Sequence, residues 1–231
     1  MKTIGLIGGM SWESTAVYYR IINEEIKEKL GGLHSAKIVL YSFNFDEIAK
    51  MQRAGDWIGA EQEMVKAARL LSTAGADFIV ICTNTMHKIS PTVESAVDIP
   101  LLHIADPTAE AIKQSGLSTV GLLGTRFTME EEFFKDRLCK DCSIDVLIPP
   151  EADRLTLHRV IFDELCQGKV LEQSRQEYCQ IIQGLADRGA QGMVLGCTEI
   201  SMLICPADSA VPLFDTTAIH ARKAAEWALD S

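Results

Sequence analysis

The chain has 231 residues, of which 47% are hydrophobic and 23% charged, and its formal net charge is −10. This length permits one large domain or two small ones with a sizeable core, and the composition is that of an ordinary globular protein. No apolar run approaches the roughly 20 residues needed to span a bilayer. The acidic balance and the lack of a basic stripe argue against nucleic acid as a partner.

The N-terminal segment predicts a strand and not a targeting signal, because the short apolar run TIGLIGGM (Thr3 to Met10) leads into a glycine turn. We therefore expect a cytoplasmic protein that does not bind membranes. The Gly-x-x-Gly-Gly spacing that starts at Gly5 differs from the dinucleotide-binding G-x-G-x-x-G, so it gives little support to a dinucleotide site. Seven cysteines do not predict a disulfide scaffold, and the lone C-x-x-C of Cys139 and Cys142 indicates a solvated helix end more than a zinc or redox site.

Three pairs of similar segments recur in the same order along the chain. TIGLIGGM (Thr3 to Met10) resembles TVGLLGTR (Thr119 to Arg126), LSTAGADFIVICTNT (Leu71 to Thr85) resembles LADRGAQGMVLGCTE (Leu185 to Glu199), and IPLL (Ile99 to Leu102) resembles VPLF (Val211 to Phe214). The middle pair reads as a helix end, a Gly-Ala turn and a buried strand. Gly75 and Gly189 in these turns differ by 114 in residue number, without a gap. The pattern predicts an internal duplication.

Strands that alternate with amphipathic helices predict an α/β fold with parallel sheets. Ser11 is expected to cap a long first helix that ends near Leu30. We expect two similar lobes, each a parallel sheet flanked by helices, related by internal pseudo-symmetry, with a ligand cleft between them at the carboxyl ends of the strands. The expected boundaries assign residues 1–98 and 213–231 to lobe one and residues 99–212 to lobe two.

The ends of the duplicated strands are polar, but the cysteine is displaced by one position. The offset of 114 aligns Cys197 with Thr83, and Gly196 with Cys82. Because side chains alternate along a strand, Thr83 should share the orientation of Cys197 toward the cleft, while Cys82 turns toward a packed helix. A one-residue irregularity at the strand end would reverse this interpretation. If a helix begins after Cys197, its N-terminus should lower the pKa of the thiol from about 8.5 toward neutrality.

Four segments that are spread over nearly the whole chain, IGLIGGMSWEST, TNTMH, GLLGTRFTM and VLGCTEI, resemble the cofactor-independent aspartate/glutamate racemase family. The motif that reads Cys-Asn-Thr in this family begins here with Thr83, whereas the second motif, GCTE, is intact. The resemblance implies two α/β lobes, a homodimer, and no pyridoxal phosphate, other cofactor or metal. It also implies that two residues act on opposite faces of the substrate α-carbon, one removing a proton and the other returning it.

Transferred to this chain, the resemblance assigns proton removal from L-aspartate or L-glutamate to Cys197 and gives the opposite face to Thr83. A threonine hydroxyl is a far weaker acid than a thiol and seldom supplies an alkoxide without an activating base. We therefore expect an isomerase that is biased toward the L-substrate.

Seven further residues are candidates for substrate binding. Small polar side chains and backbone N–H groups after a strand can hold a carboxylate, although each could instead cap a helix or line a turn. The resemblance also implies that a residue in the region of KMQRAGDW holds the distal group of the substrate. The candidates are Met10, Gln52, Asn84, Thr85, Thr125, Thr198 and Glu199.

Other charged or basic residues fit structural roles better. Arg53, beside Gln52, and Lys169 are expected to be solvated. His87 and His103 could act as bases, but a helix start or a packed core suits them better.

Two other functions are compatible with the sequence. One is a different activity of the wider superfamily, such as a maleate isomerase or an arylmalonate-type decarboxylase, because one cysteine is missing. The other is a non-catalytic protein that binds acidic ligands and has lost its activity with the first cysteine. The intact GCTE motif favours an enzyme.

Overall fold

The computed structural model describes residues 1–230, except for the side chains of residues 140–142. The chain divides into two compact units: Met1–Ile104 together with the residues from His220 onward, and Ala105–Ile219. Within the described residues, each unit contains one four-stranded parallel sheet flanked by helices, so the predicted α/β class is confirmed.

The unit boundaries lie later in the chain than the expected 98/99 and 212/213. The short strand Leu101–Leu102 pairs with its neighbour in the first sheet, and Leu213–Asp215 pairs with its neighbour in the second. Each boundary therefore follows a strand, because backbone hydrogen bonds hold that strand in the preceding sheet.

The first unit is built around the strand order β2-β1-β3-β4. A 3-10 helix, Thr85–Ile89, connects β3 to α4. The elements are β1 (Thr3–Gly8), α1 (Trp12–Leu30), β2 (Lys37–Ser42), α2 (Phe45–Ala54), α3 (Trp57–Thr73), β3 (Phe78–Ile81), α4 (Ser90–Ser95) and β4 (Leu101–Leu102).

The second unit has the order β6-β5-β7-β8. Two further 3-10 helices cover Leu165–Gln167 and Pro206–Asp208. The elements are α5 (Ala105–Gln114), β5 (Thr119–Gly124), α6 (Arg126–Glu130), α7 (Glu132–Cys142), β6 (Asp145–Leu147), α8 (Glu151–Asp163), α9 (Glu172–Asp187), β7 (Met193–Gly196), α10 (Ile200–Leu203), β8 (Leu213–Asp215) and α11 (Thr216–Leu229), the last of which belongs to the first unit from His220 onward.

The two sheets share their strand order and the details of their turns. In each, the first strand lies between the second and the third. The helix before the third strand ends at a glycine with positive φ, 88° at Gly75 and 102° at Gly189, a conformation that glycine adopts without strain. The N–H of the next residue, Ala76 or Ala190, bonds to a leucine carbonyl of the last helical turn at 3.0 or 3.1 Å. The sequence repeat therefore corresponds to a structural repeat.

The first helix begins and ends where the sequence predicts. Ser11 is its N-cap, and Ser11 Oγ accepts a hydrogen bond from the N–H of Ser14 at 3.3 Å. The helix ends at Leu30, and the N–H of Gly31 bonds to a carbonyl in the last turn at 2.8 Å. Ser14 is thereby placed one turn inside the helix, next to the carboxyl end of β3.

The third strand of each sheet is buried along its whole length. All four residues of β3 and all four of β7 are buried, as expected for central strands of parallel sheets covered on both faces. The polar residues that follow these strands are therefore the first that can reach a ligand at the sheet edge.

The C-X-X-C pair lies on α7, away from the third strands. Cys139 is exposed, and the side chain of Cys142 lies outside the described residues.

A buried histidine fastens the last helix to the first sheet. His220 Nε2 donates to the carbonyl of Leu102 at 2.9 Å, and the Tyr18 hydroxyl donates to His220 Nδ1 at 2.8 Å. The ring is completely buried, and burial lowers the pKa of His220 from 6.5 to about 4. The folded protein therefore holds this ring neutral.

Stability should fall on acidification between pH 6.5 and pH 4. In this range the unfolded chain protonates His220 and the folded chain does not, so the free energy of unfolding decreases as the pH falls. A shift of this size corresponds to about 3 kcal/mol over the whole window. Urea unfolding at several pH values measures the slope. His220→Gln should reduce this slope, and His34→Gln, at an exposed histidine, should leave it unchanged. An unchanged slope in His220→Gln would contradict the assignment.

Candidate active site

The carboxyl end of β3 carries three polar residues in a row, Thr83, Asn84 and Thr85. The N–H of Cys82 bonds to the carbonyl of Ile7 at 2.9 Å, which continues the ladder between β1 and β3 to the strand end. Asn84 and Thr85 are buried, whereas Thr83 is partly exposed. Within this group, Thr83 therefore has the most accessible side chain.

The strand register makes Thr83 the positional counterpart of Cys197. In each sheet a glycine of the first strand lies opposite a residue of the third strand, Ile79 in the first sheet and Met193 in the second. Counting four residues onward from these partners leads to Thr83 in one unit and to Cys197 in the other. The observed register is thus the one that the sequence alignment requires.

Cys82 is directed into the packed interior. Its side chain is fully buried, and burial raises the pKa of its thiol above the usual range. Its counterpart Gly196 has no space for a side chain, because a Cβ there would lie 2.8 Å from the carbonyl oxygen of Leu123 and 3.2 Å from a methyl carbon of Thr128. In the first unit the smaller Ser14 takes the position of Thr128, three residues after the N-cap of the helix. The Ser14 hydroxyl donates to the carbonyl of Cys82 at 3.2 Å.

Cys197 forms a compact polar cluster with Thr198 and Glu199. Cys197 Sγ donates to Glu199 Oε2 at 3.0 Å, and the Thr198 hydroxyl donates to the same oxygen at 2.7 Å. All three residues are buried, although 8% of Cys197 is exposed and Cys82 is completely covered. The arrangement places a proton acceptor in direct contact with the thiol.

The pKa of the Cys197 thiol is raised, so the prediction of a lowered pKa is wrong. Burial is the largest cause, and the negative charge of Glu199 adds to it. The helix that follows is a single turn, Ile200–Leu203, and the field of so short a helix does not overcome these two effects. Formation of the thiolate near neutral pH therefore depends on transfer of its proton to an acceptor.

Two residues near the motifs have roles that the sequence did not reveal. Cys166, on the 3-10 helix Leu165–Gln167, interacts electrostatically with Cys197 and adds to the causes that raise the pKa of that thiol. His87 binds the carbonyl of Thr83 at 2.8 Å through Nδ1. Cys166 belongs to no motif, and a histidine near a helix start has many possible partners, so neither contact could be predicted.

Gln52 lies in the first unit next to the residues that follow β3. It is buried on α2, and Gln52 Nε2 donates to the sulfur of Met86 at 3.1 Å. Because a thioether is a weak acceptor, this amide retains most of its capacity to bind a carboxylate. Its neighbour Arg53 is exposed and lies 4.0 Å from Asp46, and Lys169 is exposed and donates to a glutamine side chain.

Met10 and Thr125 are placed at the ends of the first strands by the turns that follow β1 and β5. Met10 is buried in a hydrophobic cluster that includes Ile48 and Met86. Thr125 is the N-cap of α6, and its hydroxyl oxygen accepts a hydrogen bond from the N–H of Thr128 at 3.3 Å. Both residues therefore have structural contacts at positions adjacent to the third strands.

Neither a metal-binding cluster nor a membrane-spanning helix is found in the part of the chain that the structure describes. There, no group of three His, Cys, Asp or Glu side chains is arranged to hold a metal ion. No helix in the same residues combines the length and apolar character needed to cross a membrane.

Comparison with known proteins assigns the chain to a family. The Asp/Glu/hydantoin racemase family model matches residues 7–224. The chain belongs to this family. The match includes both motif segments, and it supports an amino-acid racemase.

Similar proteins align with nearly the whole chain, and two of them have solved structures. A Yersinia pestis protein provisionally identified as an Asp/Glu racemase has 53% sequence identity and a TM-score of 0.92, with 100% of both chains covered. An aspartate racemase homologue from Pyrococcus horikoshii OT3 has 34% identity and a TM-score of 0.85, again with full coverage of both. The broad specificity amino-acid racemase of Bacillus subtilis strain 168 is 20% identical over 229 residues, which is 95% of each chain.

Replacing Glu199 by glutamine should lower the pKa of Cys197 in this racemase, because the substitution removes a negative charge that raises it. The thiolate would then form at lower pH, and the pH–rate curve for alkylation of Cys197 by iodoacetamide should move to lower pH. Mass spectrometry of the Cys197 peptide separates this reaction from that of the other cysteines. Thr198→Val keeps the carboxylate and should not move the curve to lower pH. A shift to higher pH in Glu199→Gln would contradict the electrostatic account.

Proposed function

We propose that the chain racemises L-aspartate or L-glutamate without a cofactor, by removal and return of the α-proton, with Cys197 and Thr83 as catalytic residues. The observation that carries this proposal is the asymmetry between two equivalent positions. At one strand end a thiol contacts a carboxylate at 3.0 Å, and the counterpart position in the other unit has a hydroxyl.

Cys197 acts as the base on the L-substrate. Its proton passes from Sγ to Glu199 Oε2, and the resulting thiolate removes the α-proton. Before substrate binds, the raised pKa keeps the thiol protonated and therefore protected from oxidation. A substrate ammonium group bound beside this cluster favours the charged form of the thiol, because opposite charges stabilise each other strongly at a buried site.

Thr83 serves the opposite face of the α-carbon. Its hydroxyl gives a proton to the carbanionic carbon and regains one from solvent, to which its side chain is partly open. The reverse step, removal of a proton from the D-substrate, requires an alkoxide and is slow. Because the equilibrium constant between enantiomers is one, kcat/KM is equal in both directions, and the bias appears as a lower kcat and a lower KM for the D-substrate.

The remaining site residues orient the acidic substrate. Gln52 binds the side-chain carboxylate through the amide whose structural partner is the sulfur of Met86. Asn84, Thr85 and Thr198 lie immediately after the two catalytic positions, where polar side chains and backbone N–H groups hold the α-carboxylate. Met10 and Thr125, at the ends of the first strands, complete the lining of the substrate site.

Each enantiomer should behave differently in deuterium oxide. With L-aspartate or L-glutamate, α-deuterium should enter the remaining L-substrate faster than D-product forms, because Cys197 exchanges its proton with solvent more easily than Thr83 returns one. With the D-substrate, exchange should be at least about tenfold slower at saturation. Proton NMR measures exchange, and chiral chromatography measures inversion. Thr83→Cys should raise exchange from the D-substrate. Rapid exchange of the D-substrate by the unmodified protein would refute the asymmetric mechanism.

Cys82 and Cys197, which follow the third strands of the two sheets, provide a matched pair of variants. Cys197→Ala should reduce exchange of the L-substrate by about a thousandfold or more, because it removes the base. Cys82→Ala should keep the exchange rate within about threefold and lower the free energy of unfolding by about 1 kcal/mol, because it removes a buried sulfur away from the substrate. A large loss of exchange in Cys82→Ala, with the fold intact by circular dichroism, would show that Cys82 is required for the chemistry and would contradict the proposal.

The same assays separate the alternative functions. Turnover of a diacid without α-proton exchange in any amino acid would indicate an isomerase or decarboxylase of the superfamily, for which one accessible thiol could suffice. Thermal stabilisation by aspartate or glutamate without exchange would indicate a binding protein.

A further inference from the structure

A buried histidine connects the backbone of the first motif to a distant part of the same unit. His87 Nδ1 lies 2.8 Å from the carbonyl oxygen of Thr83. On the other side of the ring, the N–H of Ile104 donates to His87 Nε2 at 3.2 Å. Ile104 is the residue at which the first segment of this unit ends.

The two backbone partners determine which ring nitrogen of His87 carries the proton. A carbonyl oxygen only accepts hydrogen bonds, so Nδ1 must be protonated in order to bind Thr83. A backbone N–H only donates, so Nε2 must be unprotonated in order to bind Ile104. His87 is therefore a neutral ring in the Nδ1–H tautomer, and either the other tautomer or the imidazolium would lose at least one of the two bonds.

Neighbouring rings limit the orientations that His87 can adopt. Its centroid lies 4.5 Å from that of His103 and 5.7 Å from that of His220, with interplanar angles of 66° and 65°. All three rings are buried. His220 is itself fixed by hydrogen bonds to Tyr18 and to the carbonyl of Leu102. The packing holds His87 in place for its contact with Thr83.

The second unit holds its catalytic position in a different way. The carbonyl of Cys197 accepts a hydrogen bond from the backbone N–H of Ile200 at 3.1 Å. The 114-residue offset places Ser201 opposite His87, and the Ser201 hydroxyl donates to the carbonyl of Thr198 at 3.3 Å. Among the contacts of the described residues, a side chain therefore binds the carbonyl of the proposed catalytic residue only in the threonine half.

We propose that His87 is a positioning residue for Thr83: by holding the Thr83 carbonyl against the Ile104 backbone, it fixes the hydroxyl in the orientation that returns the proton. This inference rests on the proposed function, in which Thr83 serves one face of the substrate. Inversion requires Thr83, whereas exchange into the L-substrate requires only Cys197. Loss of the His87 contact should therefore reduce inversion alone, whereas a general loss of structure would reduce both rates.

Three substitutions distinguish the two hydrogen bonds of His87. Asparagine places an amide N–H near the Nδ1 position and can keep the bond to Thr83. Glutamine places an amide oxygen near the Nε2 position and can keep the bond to Ile104. Phenylalanine keeps the ring packing and loses both bonds. His87→Gln and His87→Phe should reduce the rate of inversion of the L-substrate at least tenfold while deuterium exchange into the L-substrate stays within threefold, and His87→Asn should retain most of the inversion.

Ser201→Ala is the matched control, since it changes the equivalent position of the second unit, and it should leave the ratio of inversion to exchange unchanged. Equal losses of inversion and exchange in His87→Gln, or an inversion rate in His87→Asn as low as in His87→Phe, would overturn the inference. If the unmodified protein exchanges no α-proton of aspartate or glutamate, it is the proposed function that fails.

The tautomer can be measured in the unmodified protein, whatever the folding of the variants. Nitrogen-15 NMR of the histidine rings, with His87 assigned by comparison with His87→Asn or His87→Gln, should show a protonated Nδ1 and an unprotonated Nε2 near neutral pH. A protonated Nε2 at His87 would overturn the inference, because the ring could not then accept the bond from Ile104.

Discussion

The pairing of the first strand with the third in each sheet is the constraint on which the site depends. Side chains alternate along a strand, so a shift of one residue in this ladder would exchange the side chain at the edge for the one in the core. In the first unit the ladder runs to Cys82, whose N–H bonds to Ile7, and it leaves Thr83 as the next residue. In the second unit it runs to Gly196 and leaves Cys197. The steric limits at Gly196 and the burial of Cys82 oppose the alternative register.

The electrostatics of Cys197 fit a base whose thiolate forms only during the reaction. Many reactive cysteines rely on a helix N-terminus or a cation to hold the thiolate. Here burial and a neighbouring carboxylate favour the thiol instead, and the same carboxylate accepts the hydrogen bond of the thiol. The proposed reaction requires the proton to move between Cys197 and Glu199, so the short distance between them matters more than a permanently low pKa.

The two units are alike in topology and differ in how they support the proposed catalytic positions. Among the contacts described for the carbonyl of Cys197, one backbone hydrogen bond holds it, whereas side chains bind the carbonyls of two consecutive residues at the end of β3. Ser14 binds the carbonyl of Cys82, and His87 binds the carbonyl of Thr83. A hydroxyl has to point in one direction to deliver a proton, and a thiol with a carboxylate partner is oriented by that partner. The additional backbone support on the threonine side is consistent with this difference in chemistry.

The architecture and the alignment of the motifs can be predicted from the amino-acid pattern alone. Alternating apolar strands and capped helices specify the parallel α/β class, as Ser11 and Gly75 illustrate, because hydrophobic periodicity and turn chemistry are local properties. The repeat offset identified Thr83 as the counterpart of Cys197 for the same reason, since register follows from ungapped spacing.

The protonation state of the Cys197 thiol and the partners of His87 depend instead on three-dimensional packing. The pKa of Cys197 depends on how much water and charge surround it, and both are set by packing that a linear motif does not encode. His87 joins Thr83 to Ile104, which lies 17 residues after His87, and it packs against His220, so its role follows from contacts between distant segments. Local pattern fixes which residues stand at the strand ends, and long-range packing fixes their charge and orientation.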